Sequence, residues 1–284
     1  MHRPFLAFGL CLAAALGAQE PGPSASAPAT RKAASGDPMT GGYSEEEFKK
    51  LHELNQAQPP APKGEWVVLP GGAKAYLSLP AGKPPFPAVT VIHEWWGLNA
   101  HIQHWADRLA AEGYAALAVD LYGGVVAKDA DTALQAMRAV DPGKARATLL
   151  DAHAFLAKDQ RVLARKRGSI GWCFGGGQSL QLALAAKDLD AAVIYYGRLV
   201  SEPEAVQGIH AAILGVFARR DRNPDPKSVD AFEQALRAAK KDHAIFRYDA
   251  DHAFANPSGQ RYDQAAARAA WEETRKFLAA KLKT

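Results

Sequence analysis

The stretch GSIGWCFGGGQSL, residues 168–180, decides the fold. Gly168–Trp172 reads as a short apolar strand, and from Phe174 the run FGGGQSLQLALAA spaces its apolar residues as a helix does. One residue, Cys173, is left at the bend between them. A side chain held out from a strained strand-to-helix turn crowds the positions two away, where only residues without a Cβ fit; Gly171 and Gly175 stand there. Gly-x-Cys-x-Gly therefore predicts a nucleophile elbow with sulfur in place of a hydroxyl. The first free N–H groups of the helix lie beside the sulfur and favour its thiolate. The backbone N–H of Phe174 would point at an oxyanion formed on a carbonyl attacked by Cys173. Phosphate chemistry does not fit the glycines. A phosphate loop on Gly171 and Gly176 needs lysine at 177, which is glycine, and a dinucleotide turn starting at Gly175 needs glycine at 180, which is leucine. The plainer reading of Cys173 is a buried small hydrophobe.

Working outward, strand-like and helix-like runs alternate. AVTVIHE (88–94) is apolar and β-branched. In HIQHWADRLAAEG, Ile102, Trp105, Ala106 and Leu109 share one helical face, and Gly113 ends it. YAALAVDLY is a strand, with helical stretches after it around 128–139 and 143–158. AAVIYYG, AAILGVF and HAIFRYD are further strands, with the helix SVDAFEQALRAA between the last two. The closing helix carries Trp271, Thr274, Phe277 and Leu278 on one side. Apolar strands alternating with helices imply a mostly parallel sheet covered on both faces. EWVVL and AYLSL read as an edge hairpin. Ligands of such sheets bind at the carboxyl ends of the strands.

Two more residues reach that edge. Asp221, in ARRDRNPDP, follows the strand AAILGVF; His252, in DHAFANP, follows HAIFRYD. Nucleophile, acid and histidine come in the chain order of this architecture. His252 would take the Cys173 proton, and Asp221 would orient the ring and stabilise the imidazolium. Asp225 is the rival acid, four residues on but farther from the strand end.

VIHEWWGLN, GWCFGGG, the Asp221 loop and DHAFANP together resemble the dienelactone hydrolases, a branch of the α/β-hydrolase fold, over roughly residues 65–282. The resemblance implies Cys173, Asp221 and His252 as the triad. It also implies that Glu94 contacts the resting cysteine and helps form the thiolate once substrate binds. The backbone N–H of Trp95 would be the second oxyanion donor, and Tyr196 would line the substrate pocket. Glu94 also has a case of its own: a carboxylate beside two tryptophans at a strand end is partly desolvated, which raises its pKa and suits proton exchange. One departure stands out. Family members that open dienelactones bind the substrate carboxylate with arginines, one of them four residues after the catalytic histidine, and here that pocket position is Asn256. An amide cannot supply the bidentate charged contact. Lys128 or Arg138 could substitute; otherwise a neutral ester or lactone fits at least as well.

HEWWGLNAHIQH also offers His93, Glu94, His101 and His104 as zinc ligands. The helical motif needs histidine at position 97, which is glycine, and neighbours 93 and 94 on a strand point to opposite faces. No metal or organic cofactor is expected. MHRPFLAFGLCLAAALGA (1–18) has the basic start, apolar run and small-residue exit of a secretory signal, with an apolar run too short to span a bilayer. Its removal takes Cys11 and leaves Cys173 without a disulfide partner. Residues 19–63 read as a Pro/Ala/Ser-rich tether with one short helix begun by a capping box, Ser44 and Glu47; residues 64–284 form the folded domain. The formal +4 charge is scattered, which argues against a nucleic-acid surface. The expectation is an exported α/β hydrolase, periplasmic or secreted, acting on a small ester or lactone, with no integral membrane segment after signal cleavage. The rivals are a non-catalytic binding protein of the same fold and an acyl transferase using the same triad.

Overall fold

Strands apolar at nearly every position have no face to give to water, so they must lie between two layers of helix. The structure, a computed structural model, describes residues 44, 46–47 and 59–283 and realises that arrangement. The expected leader and most of the tether lie outside the described residues. Of the capping box, the Ser44 N–H donates to Glu47 Oε2 at 3.0 Å and the Glu47 N–H to Ser44 Oγ at 3.3 Å.

Eight strands form one sheet in the order β1-β2-β4-β3-β5-β6-β7-β8. They are β1 Glu65–Val68, β2 Lys74–Ser78, β3 Ala88–Ile92, β4 Ala115–Val119, β5 Arg167–Trp172, β6 Ala191–Tyr195, β7 Ala212–Ala218 and β8 His243–Tyr248. The expected hairpin, β1 with β2, forms one edge, and β2 also pairs antiparallel with β4 (Ala75 opposite Val119). From β4 to β8 every pairing is parallel. The chain leaves β3 for β4 on one side and returns to β5 on the other, so the strand order reverses around β3. A ligand crevice belongs at such a reversal.

Helices α1 Ala100–Ala111 and α7 Gln264–Leu282 cover one face. There Ile102, Ala106, Leu109, Trp271 and Leu278 pack on Val89, Ile170, Val193 and Leu214. Helices α3 Pro142–Lys158, α4 Phe174–Ala185 and α6 Pro226–Ala238 cover the other, where Leu149, Leu180, Val229 and Phe232 meet Ile92, Ile194 and Ile213. Each of these large side chains contributes about 1.5–3 kcal/mol by leaving water. Helix α2 Ala130–Arg138 packs Leu134 and Met137 on Trp95, Trp96 and Tyr122. The five-residue α5 Pro203–Gln207 is too short to show a periodicity in sequence.

Two details depart from the apolar pattern. Trp105 is only partly buried, while Asp107, polar and on the inward side of α1, is buried. Asp107 accepts from the Lys63 N–H (2.9 Å), the Tyr76 hydroxyl (2.9 Å) and the Ser78 hydroxyl (2.7 Å), which ties the hairpin to α1. A buried carboxylate is tolerated only with such partners.

Candidate active site

β5 ends at Trp172 and α4 begins at Phe174, so Cys173 alone makes the turn, with φ 52° and ψ −116°. That strained backbone is held by its own N–H donating to Tyr195 O (3.0 Å) and its carbonyl accepting from the Gly177 N–H (3.2 Å). A Cβ on Gly171 would lie 2.1 Å from Gly175 O, and one on Gly175 would lie 2.3 Å from Ile92 O. Both obstacles are backbone, so the glycines are steric requirements of the turn. Cys173 is partly exposed, packed against the edge of the core.

Asp221 and His252 meet it. Asp221 follows β7 in a tight turn, is 5% exposed, and accepts the Asn223 N–H on Oδ1 at 2.8 Å. Its Oδ2 lies 2.7 Å from His252 Nδ1, and His252 Nε2 lies 3.2 Å from Cys173 Sγ. Asp225 is engaged elsewhere: it caps α6 by accepting the Ser228 N–H at 2.8 Å. The sulfur, ring and carboxylate thus form one chain of contacts across three strand ends. Burial opposes a charge on His252, but the Asp221 carboxylate and the Cys173 sulfur outweigh it and raise its pKa to about 10.

Glu94 sits in the turn after β3, 8% exposed. Burial pushes its carboxyl up to about 7, against the pull of His252, Arg261 and the Tyr196 phenol. In this resting arrangement its Oε2 accepts from Asn256 Nδ2 rather than from the sulfur, while Oε1 is buried with no hydrogen bond of ordinary geometry and the Tyr196 phenol is the carboxyl's neighbouring donor. Trp95 lies next in the same turn, 1% exposed, and Phe174 is the first residue of α4. Tyr196 has φ 34°, donates its N–H to Val216 O at 2.8 Å, and sets its ring 5.2 Å from that of His252. Burial first, then the charges of Glu94 and Cys173, keep its phenol protonated.

Asn256 does line a small cavity with Glu94, but its amide is spent on protein partners: Nδ2 on Glu94, Oδ1 on the Ser258 N–H (2.8 Å) and hydroxyl (2.6 Å). Lys128 and Arg138 are exposed. Besides His252, the cation whose charge reaches Glu94 is Arg261, in the turn beyond Ser258. Neither Ser258 nor Arg261 carries a local sequence signal. The same is true of Tyr122, whose ring packs 5.4 Å from Phe174 and whose ionisation is opposed by burial and then by the Cys173 charge. His93 has both ring nitrogens committed: Nδ1–H donates to Glu94 O and Nε2 accepts the Leu121 N–H at 3.1 Å. Burial lowers its pKa to about 4, so it is a neutral, satisfied core histidine and not a ligand.

The geometry sets the Cys173 sulfur against the His252 ring, with Phe174 following it at the head of α4 and the buried Glu94 carboxyl within electrostatic reach of the ring. The model of the dienelactone hydrolase family matches residues 73–282. A "Putative carboxymethylenebutenolidase" of Saccharolobus solfataricus is 34% identical over 244 residues, 73% of this chain and 94% of that protein. The crystal structure of a "Putative Dienelactone Hydrolase" from Klebsiella pneumoniae aligns with TM-score 0.70 at 28% identity, covering 79% of this chain and 99% of that one. A dienelactone hydrolase-like promiscuous phosphotriesterase from metagenomic libraries aligns with TM-score 0.70 at 26% identity over 78% of this chain and 99% of its own.

Proposed function

The chain belongs to the dienelactone hydrolase family, and from that membership we propose that it cleaves a small ester or lactone at Cys173 through an acyl-thioester. Hydrolysis of lactones or esters comes with the family; the residues and the intermediate are our reading. The observation that carries it is the His252 ring bridging Asp221 and Cys173, at 2.7 and 3.2 Å.

Asp221 and the Cys173 sulfur together outweigh burial and favour the charged ring. In our reading His252 therefore serves as the acid for the leaving group, and the thiol proton goes elsewhere than to the ring assigned to it by chain order. Glu94, with a pKa about 7, is the acceptor within the site. Substrate binding sends the Cys173 proton to Glu94. The thiolate attacks the carbonyl carbon, a C–S bond forms, and the oxyanion is held by the N–H groups of Trp95 and Phe174. Collapse breaks the C–O bond, and the leaving alkoxide takes the His252 proton. The neutral imidazole then accepts a proton from water as that water attacks the thioester. The C–S bond breaks, the carboxylic acid leaves, and the thiolate recovers its proton from Glu94. One water is consumed and the enzyme returns to its starting state.

The test is Cys173→Ala with p-nitrophenyl acetate, together with acid-quenched mass spectrometry of the wild type. Turnover should vanish in the variant, and an acyl adduct should appear on the Cys173 peptide of the wild type. Retained turnover would refute the nucleophile. Labelling by iodoacetamide at pH 6 no faster than free cysteine would favour the non-catalytic reading, and diversion of the acyl group to an added alcohol would favour a transferase.

A further inference from the structure

A side-chain amide is nearly symmetric in shape but not in chemistry: one end only accepts hydrogen bonds and the other only donates. Ser258 settles which end of Asn256 is which. Its backbone N–H can only donate, and that N–H and the Ser258 hydroxyl meet the same amide atom at 2.8 and 2.6 Å, so that atom is the oxygen. The nitrogen is thereby turned onto Glu94 Oε2. Asn256 is 8% exposed and Ser258 2%. The turn that carries them is closed by the Asn256 N–H on Ala253 O (3.0 Å) and the Gly259 N–H on Asn256 O (3.1 Å). The amide cannot rotate without breaking both Ser258 bonds. Beside the carboxyl lies a cavity of about 10 Å³, lined by Glu94, Asn99, His101, Asn256 and Ser258 among others, with room for a single water.

We propose that Asn256, locked by Ser258, is the positioning residue for Glu94: a neutral amide pins Oε2 and leaves Oε1 as the oxygen that takes and returns the Cys173 proton. The inference rests on the reaction given above. An arginine in place of Asn256 would bind the same carboxyl as an ion pair and hold it ionised, a poorer store for a proton. The other titratable groups facing the carboxyl are His252 and Arg261, from the loops after β8, and the Tyr196 phenol at the end of β6; His101 lines the cavity from α1. Donation by the amide favours the ionised carboxyl, so removing it moves proton affinity upward.

The experiment is the pH dependence of kcat/KM for p-nitrophenyl acetate in the wild type and in E94Q, N256A, S258A and S258T. In the wild type activity rises with pH through a limb near 7, which E94Q abolishes. N256A moves that limb upward by about one pH unit, the size expected for a lost hydrogen bond to a charged group. S258A moves it in the same direction by less, and S258T, which restores a hydroxyl, brings it back. A packing defect alone would lower activity at every pH and leave the limb in place, and that result overturns the inference. If E94Q removes the limb while N256A and S258A leave it unmoved, the positioning role falls and the Glu94 reading stands. If the limb survives in E94Q, the Glu94 reading itself falls. Should N256A fail to fold, the S258A and S258T pair decides.

Discussion

Replacing Asp221 by asparagine keeps the shape of the acid and removes its charge. His252 titrates at about 10 against an ordinary 6.5, a difference of about 3.5, and at 1.36 kcal/mol per pH unit that is about 5 kcal/mol of net stabilisation of the imidazolium. The His252 side chain is only 13% exposed and that of Asp221 2%, so little of this is screened by solvent. With the charge gone, the strongest influence raising the ring is lost, and burial pulls its proton affinity down against the Cys173 sulfur alone. The proton that wild-type His252 keeps up to about pH 10 is then given up at lower pH. An alkyl ester, whose alkoxide must be protonated to leave, should lose on the order of 10³-fold in kcat/KM, since 5 kcal/mol corresponds to about 3.5 decades. A p-nitrophenyl ester, whose leaving group needs no proton, should lose less. Measuring ethyl and p-nitrophenyl acetate across pH 5–10.5 separates the two. D225N is the control: the amide oxygen can still accept the Ser228 N–H at the head of α6, so the variant should keep both its stability and its activity. A D221N enzyme holding more than a tenth of wild-type activity on ethyl acetate, with its high-pH limb still near 10, would refute the reasoning.

Gly175→Ala forces a Cβ to within 2.3 Å of Ile92 O and 2.5 Å of His93 O, both backbone; we expect a loss of more than about 3 kcal/mol in urea denaturation, or no soluble protein. Asp107→Ala strips the acceptor from the Tyr76 and Ser78 hydroxyls and the Lys63 N–H, and should cost about 2–4 kcal/mol in the same assay without changing the pH profile of activity. An ester lacking a carboxylate should be hydrolysed at least as fast as its carboxylated analogue, because the Asn256 amide is already spent and Lys128 and Arg138 are exposed; a tenfold preference for the carboxylated ester would argue against this and toward Arg261. Exported protein should begin near Gln19 on N-terminal sequencing, and a start at Met1 would count against a leader.

The strands were legible because continuous apolar runs such as AVTVI and AILGVFA can only be buried on both faces. The turn at Cys173 was legible because steric demand writes glycine at fixed offsets. Glu94 was legible as a desolvated carboxyl from its tryptophan neighbours. Its partner was not: 162 residues separate it from Asn256, and hydrogen-bond pairing over that distance leaves no periodic trace. The family pattern pointed to the position of Asn256 but not to where the amide would face, because Ser258 decides that. Asp107 was hidden for a related reason, since a polar residue on the inward side of α1 reads as an interruption until its three donors are known.

Glu94, Cys173, Tyr196, Asp221 and His252 hang from the ends of five different parallel strands, β3, β5, β6, β7 and β8, which span all but one side of the sheet. No contiguous fragment of the chain holds the proposed set. Turnover is therefore a gauge of the finished tertiary structure: in a refolding or thermal-inactivation experiment its return should lag behind secondary structure and coincide with the last strand, β8, docking at its edge.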